Sequence, residues 1–180
     1  MGYSNRINDP AFKKYLKNSN RYALFFSFGL SAIALTGFCF AGGRDFFFIG
    51  LIISGMFIGI AGLQILGRKS SKTWDGIIID KKVIRKRNKS TRDTGSMHYM
   101  AFSILIKRID TGKIITLEHR DDDTVYNYYK IGDKVRHHGG LNSYEKYDKS
   151  NDAIIFCAAC GSLCDISEEV CFRCGCPLLK

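Results

Sequence analysis

The chain has 180 residues, of which 46% are apolar, and its 27 basic and 17 acidic side chains give a formal net charge of +10. The apolar residues are unevenly distributed, because residues 22–67 contain only two charged side chains, Arg44 and Asp45. This division excludes a disordered chain, a simple soluble globule and a large enzyme built on one 180-residue core.

Residues 1–21 form a basic N-terminal segment, in which a short helix is expected to begin at Pro10. Three apolar side chains share one face of that helix: Phe12, Tyr15 and Leu16. Lysines surround this face, which suits a helix that lies along an anionic membrane surface. A solvated basic tail is the alternative.

Two uncharged stretches of 22 residues follow, at 22–43 and 46–67. About 20 apolar residues in a helix cross a hydrocarbon core of about 30 Å. Because the link between the stretches is so short, the pattern predicts a hairpin of two transmembrane helices over residues 22–67. Gly55 and Gly59 form a G-x-x-x-G motif, which is expected to pack the two spans together or to form a homo-oligomer.

Basic residues indicate the orientation of this hairpin. Five of them precede the first span and three follow the second, whereas the turn between the spans has only Arg44. The positive-inside rule then predicts a multi-pass protein of the cell membrane with both termini in the cytoplasm. The bulky Phe38 before Cys39 is unlike a lipoprotein cleavage site, so we predict an uncleaved anchor. Whether Cys39 is modified stays open.

Residues 68–150 contain several short segments with strand character, at 76–85, 98–109, 113–119 and 128–135. The second of them alternates apolar and polar residues, and a turn sequence at 110–112 joins it to the third. We therefore predict four or five antiparallel strands in a small barrel-like or sandwich-like β-domain, with a mobile loop at 88–96. The order of segments and the Tyr-x-x-x-Gly-Asp-x-Val stretch at 128–135 resemble small β-domains that follow membrane helices in many bacterial proteins.

The densest basic run of the chain falls in this β-domain and comprises Lys81, Lys82, Arg85, Lys86, Arg87, Lys89 and Arg92. Such a run suits a solvated strand edge, an anionic lipid or protein surface, or nucleic acid. Its position near the membrane favours lipid over nucleic acid. Nucleic-acid binding is also disfavoured because no aromatic residue interleaves with the charges.

Six of the seven cysteines lie in the last 24 residues, and four of them form two C-x-x-C-G knuckles: Cys157, Cys160, Cys171 and Cys174. Ten residues separate the knuckles, which is enough for a short hairpin to bring the pairs together. Four thiolates would then surround Zn²⁺ at about 2.3 Å each and close its coordination shell. Residues 151–180 are therefore predicted to form a zinc ribbon with a structural metal, whose binding supplies much of the folding energy.

Two other uses of this cysteine cluster stay open. An iron–sulfur cluster also takes four cysteines, but the knuckle glycines and the ten-residue gap favour zinc. A disulfide framework is disfavoured because the predicted cytoplasmic location is reducing. Two further cysteines, Cys164 and Cys176, are expected to be free thiols, with ligand replacement, pairing or oxidant sensing as alternatives.

This segment resembles a family of short zinc ribbons that is attached to bacterial membrane proteins. The shared residues are Cys157, Cys160, Gly161, Cys171, Cys174, Gly175, Pro177 and Leu178. The resemblance implies a structural zinc on the four knuckle cysteines and a role in protein–protein interaction. The chain is also similar to an uncharacterised bacterial membrane protein family with a hairpin, a small β-domain and a ribbon in this order, and with a similar lead at 147–150. That family carries no assigned activity.

Taken as a whole, the sequence predicts a membrane α-helical hairpin, a small all-β cytoplasmic module and a C-terminal zinc ribbon. The best functional hypothesis is a membrane-anchored adaptor or accessory subunit that binds a protein partner. The alternative is a membrane-associated nucleic-acid-binding protein that uses the ribbon and the basic stretch 81–92. An enzyme is the least favoured class, because the sequence has no P-loop, no G-x-S-x-G, no H-E-x-x-H and no dinucleotide-binding glycine motif.

Overall fold

The computed structural model describes residues 2–41, 44–87 and 98–180. A short 3₁₀ turn at Asn5–Asn8 precedes two long helices, α1 at Pro10–Ala41 and α2 at Arg44–Ser70. Both helices are long and apolar enough to cross a membrane. Gly42 and Gly43, at the end of the first predicted span, lie outside the described residues.

The first helix differs from the sequence prediction in its length. It begins at Pro10, where the Asp9 carboxylate accepts a hydrogen bond from the backbone N–H of Ala11 at 2.7 Å, and it continues without a break to Ala41. The predicted short surface helix is therefore the first part of α1. The expectation that its apolar face lies on lipid is wrong, because Phe12 is only 3% exposed and packs inside the protein.

Helices α1 and α2 pack against each other as an antiparallel pair. Near their middle, Ser31 Oγ donates to the Ser54 carbonyl oxygen at 3.1 Å and Ser54 Oγ donates to the Ser31 carbonyl oxygen at 3.0 Å. Closer to the turn, Gly50 faces the Cβ of Phe38. Small residues thus let the two helices approach, and their hydroxyl groups link the two backbones.

The G-x-x-x-G motif does not lie at the contact between α1 and α2. Gly55 and Gly59 are both exposed, and a methyl group added at either would meet no described atom within 4 Å. The prediction that they pack the two spans together is wrong, because the register of the hairpin turns Ser54 toward α1 instead. Their use between two copies of the chain stays a prediction.

An antiparallel β-domain follows α2, as predicted. Its strands are β1 (Trp74–Arg87), β2 (His98–Arg108), β3 (Ile114–Arg120), β4 (Lys134–His138) and β5 (Ser143–Lys146), with a short helix α3 (Thr124–Tyr128) before β4. The strands form one sheet in the order β3-β2-β1-β4-β5. The predicted mobile loop at 88–96 lies outside the described residues.

The described strands form one sheet around the 14-residue strand β1, so the expected two-sheet sandwich is not formed, whereas a barrel-like curvature of the sheet stays a prediction. Strand β1 pairs with β2 along its length and with β4 at its first residues, so it joins both halves of the sheet. No second sheet covers the core within the described part of this domain. Instead, Tyr128 and Tyr129 pack on the buried side chains of Ile78, Ile104 and Val135.

A buried ionic cluster ties the N-terminal segment to the β-domain. Glu145 Oε1 accepts hydrogen bonds from the Ser4 backbone N–H and from Lys149 Nζ, both at 2.7 Å, and Oε2 lies 2.8 Å from His138 Nε2. Burial raises the pKa of Glu145, but these hydrogen bonds outweigh burial and hold its pKa below the ordinary value of 4.5. The folded protein therefore favours the ionised carboxylate.

This cluster predicts acid sensitivity of the fold. Because the pKa of Glu145 is lower in the folded than in the unfolded chain, its stabilising effect is complete above pH 4.5 and is lost as the pH falls through the folded-state pKa. We expect Glu145→Gln to lower the free energy of unfolding by about 2 kcal/mol at pH 7 and by less at pH 3. Chemical unfolding of both proteins at the same series of pH values measures this difference, because acid release of any bound metal affects both alike. An equal effect of the substitution at both pH values would contradict the assignment.

Candidate metal centre

The last 30 residues form a small ribbon of two strands and two cysteine knuckles. Strand β6 (Ile154–Phe156) pairs with β7 (Leu163–Asp165), and the first knuckle lies between them. The second knuckle is closed by an isolated bridge between Val170 and Pro177. The two strands and the bridge place both knuckles at one end of the ribbon.

Both knuckles have the same backbone geometry. The N–H of Gly161 donates to the carbonyl of Cys157, and the N–H of Gly175 donates to the carbonyl of Cys171, each at 2.9 Å. These two glycines have φ values of 71° and 69°, in the left-handed region where glycine is favoured. Glycine is needed here because the chain must reverse directly after the second cysteine of each pair.

The knuckles bring four sulfur atoms together, those of Cys157, Cys160, Cys171 and Cys174. All four lie within 4.8 Å of one another. The Sγ atoms of Cys157 and Cys174 are 3.5 Å apart, and those of Cys160 and Cys171 are 3.6 Å apart. A tetrahedral Zn²⁺ with bonds of about 2.3 Å requires sulfur–sulfur distances of about 3.8 Å, so the donor set fits a metal of this size.

No disulfide joins the cysteines of this cluster. All seven cysteines belong to the described residues, and each is a free thiol. A disulfide needs sulfur atoms about 2.05 Å apart, well below the separations within this cluster. The four cysteines are therefore arranged to hold a metal ion.

Burial and nearby backbone N–H groups shift the pKa values of these thiols in different directions. Burial raises the pKa of Cys157, and it raises that of Cys174 to about 12. Cys171 is also buried, but the backbone N–H groups of Cys174 and Arg173 outweigh burial and lower its pKa to about 6. Cys171 is thus better prepared than Cys157 and Cys174 to meet a metal as a thiolate, and binding of the metal must displace protons from those two.

The two extra cysteines adjoin the four-sulfur group without belonging to it, Cys164 beside Cys171 and Cys176 beside Cys174. Cys164 Sγ lies 3.8 Å from the Ser162 carbonyl oxygen, and Cys176 Sγ lies 3.8 Å from the carbonyl oxygen of Ala11 in α1. Both are buried. The second contact shows that this part of the ribbon rests on the first turn of α1.

The ribbon shares its apolar core with the N-terminal helix. Phe12 packs among buried ribbon residues that include Ile155, Leu178 and Leu179, and Tyr15 packs against the same cluster. Outside this core, Arg6 forms a 2.6 Å ion pair with Glu169. Sequence reasoning recognised the apolar face of α1 but missed its partner, which lies more than 140 residues away in the chain.

The predicted basic stretch is largely engaged with its own domain. Lys81 donates to the Tyr129 carbonyl oxygen at 2.9 Å, and its ammonium group lies 4.0 Å from the ring centre of Tyr126. Lys82 pairs with Asp80 at 3.3 Å, and Lys86 pairs with Glu118 at 2.7 Å.

The structure describes only two of the other four residues of the basic stretch. Arg85 and Arg87 are exposed on β1, whereas Lys89 and Arg92 lie outside the described residues. Three of its five described side chains are therefore bound within the chain, which reduces the positive charge available to an external partner.

The architecture therefore comprises two apolar helices of membrane-spanning length, an antiparallel β-domain and a cysteine cluster able to hold a metal ion. No family model, no curated protein and no solved structure matches the chain.

Proposed function

We propose that the protein is a membrane-anchored, cytoplasm-facing adaptor or accessory subunit that binds a protein partner through its β-domain and a structural zinc ribbon. The four-sulfur cluster carries this proposal. Four thiolates complete a tetrahedral shell and leave no position for a substrate, so zinc bound there would shape a surface rather than catalyse a reaction.

The exposure of the two long helices supports the membrane anchor. In the most apolar segment of each helix, only a small share of the residues is buried within the protein: 11% in α1 and 17% in α2. Large side chains such as Phe40, at 91% exposure, extend outward from them. A core helix of a soluble protein would be mostly buried, so hydrocarbon is the environment that suits these surfaces.

An exposed aromatic residue on the ribbon supports the binding of a protein partner. Phe172 lies between two proposed zinc ligands and is 79% exposed, with the half-exposed Val170 two residues before it. A metal-bound knuckle would fix the backbone at this residue, and aromatic residues and arginine are enriched at protein interfaces. Arg173 follows directly in the chain and is also exposed.

Purification from native membranes in a mild detergent tests the proposal. We expect a protein to co-purify in a stoichiometric amount, to survive nuclease treatment, and to be lost from Phe172→Ala. The control is Lys13→Ala, because Lys13 is also exposed but lies on α1, outside both proposed binding surfaces. Mass spectrometry of the eluates identifies and quantifies the partner.

Two results of this purification would contradict the adaptor, and a third would contradict the role of Phe172. A partner lost with nuclease, or bound nucleic acid alone, would support the nucleic-acid-binding alternative. Elution of the protein alone would oppose both binding hypotheses. Equal loss of the partner from both variants would show that Phe172 is not a specific contact.

A further inference from the structure

A cavity of about 370 Å³ lies where the long helices meet the β-domain and the ribbon. Helix α1 contributes Tyr15 and Ser19, helix α2 contributes Gly67 and Arg68, and Ser71 follows directly after the end of α2. The loop at 139–142 between β4 and β5 forms the opposite wall. This volume falls within the range of small-ligand pockets in proteins, which is about 300–1,000 Å³.

The lining of this cavity suits an anion. Among the described residues that line it, Arg68 is the one charged side chain, and Ser19, Ser71 and Asn142 add polar groups. Arg68 Nη1 donates to Ser19 Oγ and to Asn20 Oδ1, each at 3.1 Å, which holds the guanidinium group in place. Within the described part of the chain both bonds use Nη1, so the Nε and Nη2 groups remain for a ligand.

The walls are held close together before any ligand binds. A methyl group added at Gly139 would clash with the Ser71 carbonyl oxygen, so the β4–β5 loop lies directly against the end of α2. Because the loop and the helix already touch, little conformational entropy is lost when a ligand enters between them.

The cavity also lies at the ends of the two apolar stretches. Gly67 is the last residue of the second stretch, and Ser19 precedes the start of the first at Tyr22 by three residues, or about 4.5 Å of helix. If the helices span the bilayer as proposed above, this level coincides with the lipid headgroups.

We propose that this cavity binds the phosphate group of an anionic phospholipid headgroup, with Arg68 as its principal contact. A guanidinium group can bind phosphate through two parallel hydrogen bonds. No acidic residue lies among the described lining residues to receive the ammonium group of a zwitterionic lipid. The inference rests on the proposed membrane anchor and adds a specific lipid site to it.

Native mass spectrometry of the full-length protein in neutral detergent tests this site. We expect one phosphatidylglycerol molecule to bind more tightly than phosphatidylcholine, and Arg68→Gln to weaken phosphatidylglycerol binding about fivefold to tenfold. Gly67→Leu should weaken it as well, because a side chain at this position meets open space and would fill the cavity. Lys69→Gln is the matched control, since Lys69 is the exposed neighbour of Arg68 and does not line the cavity.

The outcomes separate the lipid site from the membrane anchor. Equal weakening by Arg68→Gln and Lys69→Gln would show general surface attraction and overturn the site. Displacement of the lipid by glycerol phosphate at the same concentration would assign the cavity to a soluble phosphate compound. Release of the protein from membranes by carbonate would overturn the anchor itself, whereas retention without preference for phosphatidylglycerol would overturn the lipid site alone. Equal metal content in all variants confirms that each is folded.

Discussion

Replacing Cys171 with serine is expected to remove the metal from the protein and to unfold residues 151–180. Structural zinc contributes about 10–16 kcal/mol of apparent binding free energy in small cysteine-ligated units. The ribbon has only two three-residue strands of its own, so its other interactions cannot replace a contribution of this size. Elemental analysis of the purified protein should give one zinc per chain for the natural sequence and none for Cys171→Ser, with rapid proteolysis of the C-terminal segment.

Two other cysteines provide controls for this experiment. Cys39 is exposed near the end of α1, so Cys39→Ser should leave the metal content unchanged. Cys176→Ser should also retain one zinc, because its sulfur contacts the Ala11 carbonyl oxygen and lies outside the four-sulfur group. Loss of zinc from Cys176→Ser would contradict the proposed ligand set. Iron in place of zinc would support the iron–sulfur alternative.

The features that could be predicted from sequence depend on residues close together in the chain. Each C-x-x-C-G knuckle is complete within five residues, and each apolar helix is indicated by its own length and composition. The same holds for the alternation in β2. Local patterns of this kind require no knowledge of the rest of the fold, and the structure agrees with them.

The sequence-based predictions that the structure contradicts concern which surfaces of the protein contact each other. The spacing of Phe12 and Tyr15 correctly indicated one apolar face of a helix, but a lipid surface and a protein core both require such a face. Gly55 and Gly59 have the spacing of a helix contact, yet the register of the hairpin places Ser54 at the interface instead. Periodicity identifies an apolar face and does not identify its partner.

The contact between Phe12 and the ribbon leads to a second prediction of large effect. Phe12→Ala should lower the free energy of unfolding by about 3–5 kcal/mol, because it leaves a cavity beside Leu178 and Leu179. Since the ring packs in the same core as two knuckle cysteines, Cys157 and Cys171, zinc should also pass to an added chelator about tenfold faster or more. The rate of zinc transfer to a coloured chelator measures this effect in the intact protein.

The exposed neighbour Lys13 provides the control, because Lys13→Ala changes the same helical turn without removing buried surface. It should leave the rate of zinc transfer unchanged. An unchanged rate of zinc transfer in Phe12→Ala would contradict a structural link between Phe12 and the metal centre. Faster transfer would instead show that the first turns of α1 and the metal centre form one folded unit, so a partner bound to the ribbon would be connected mechanically to the membrane helices.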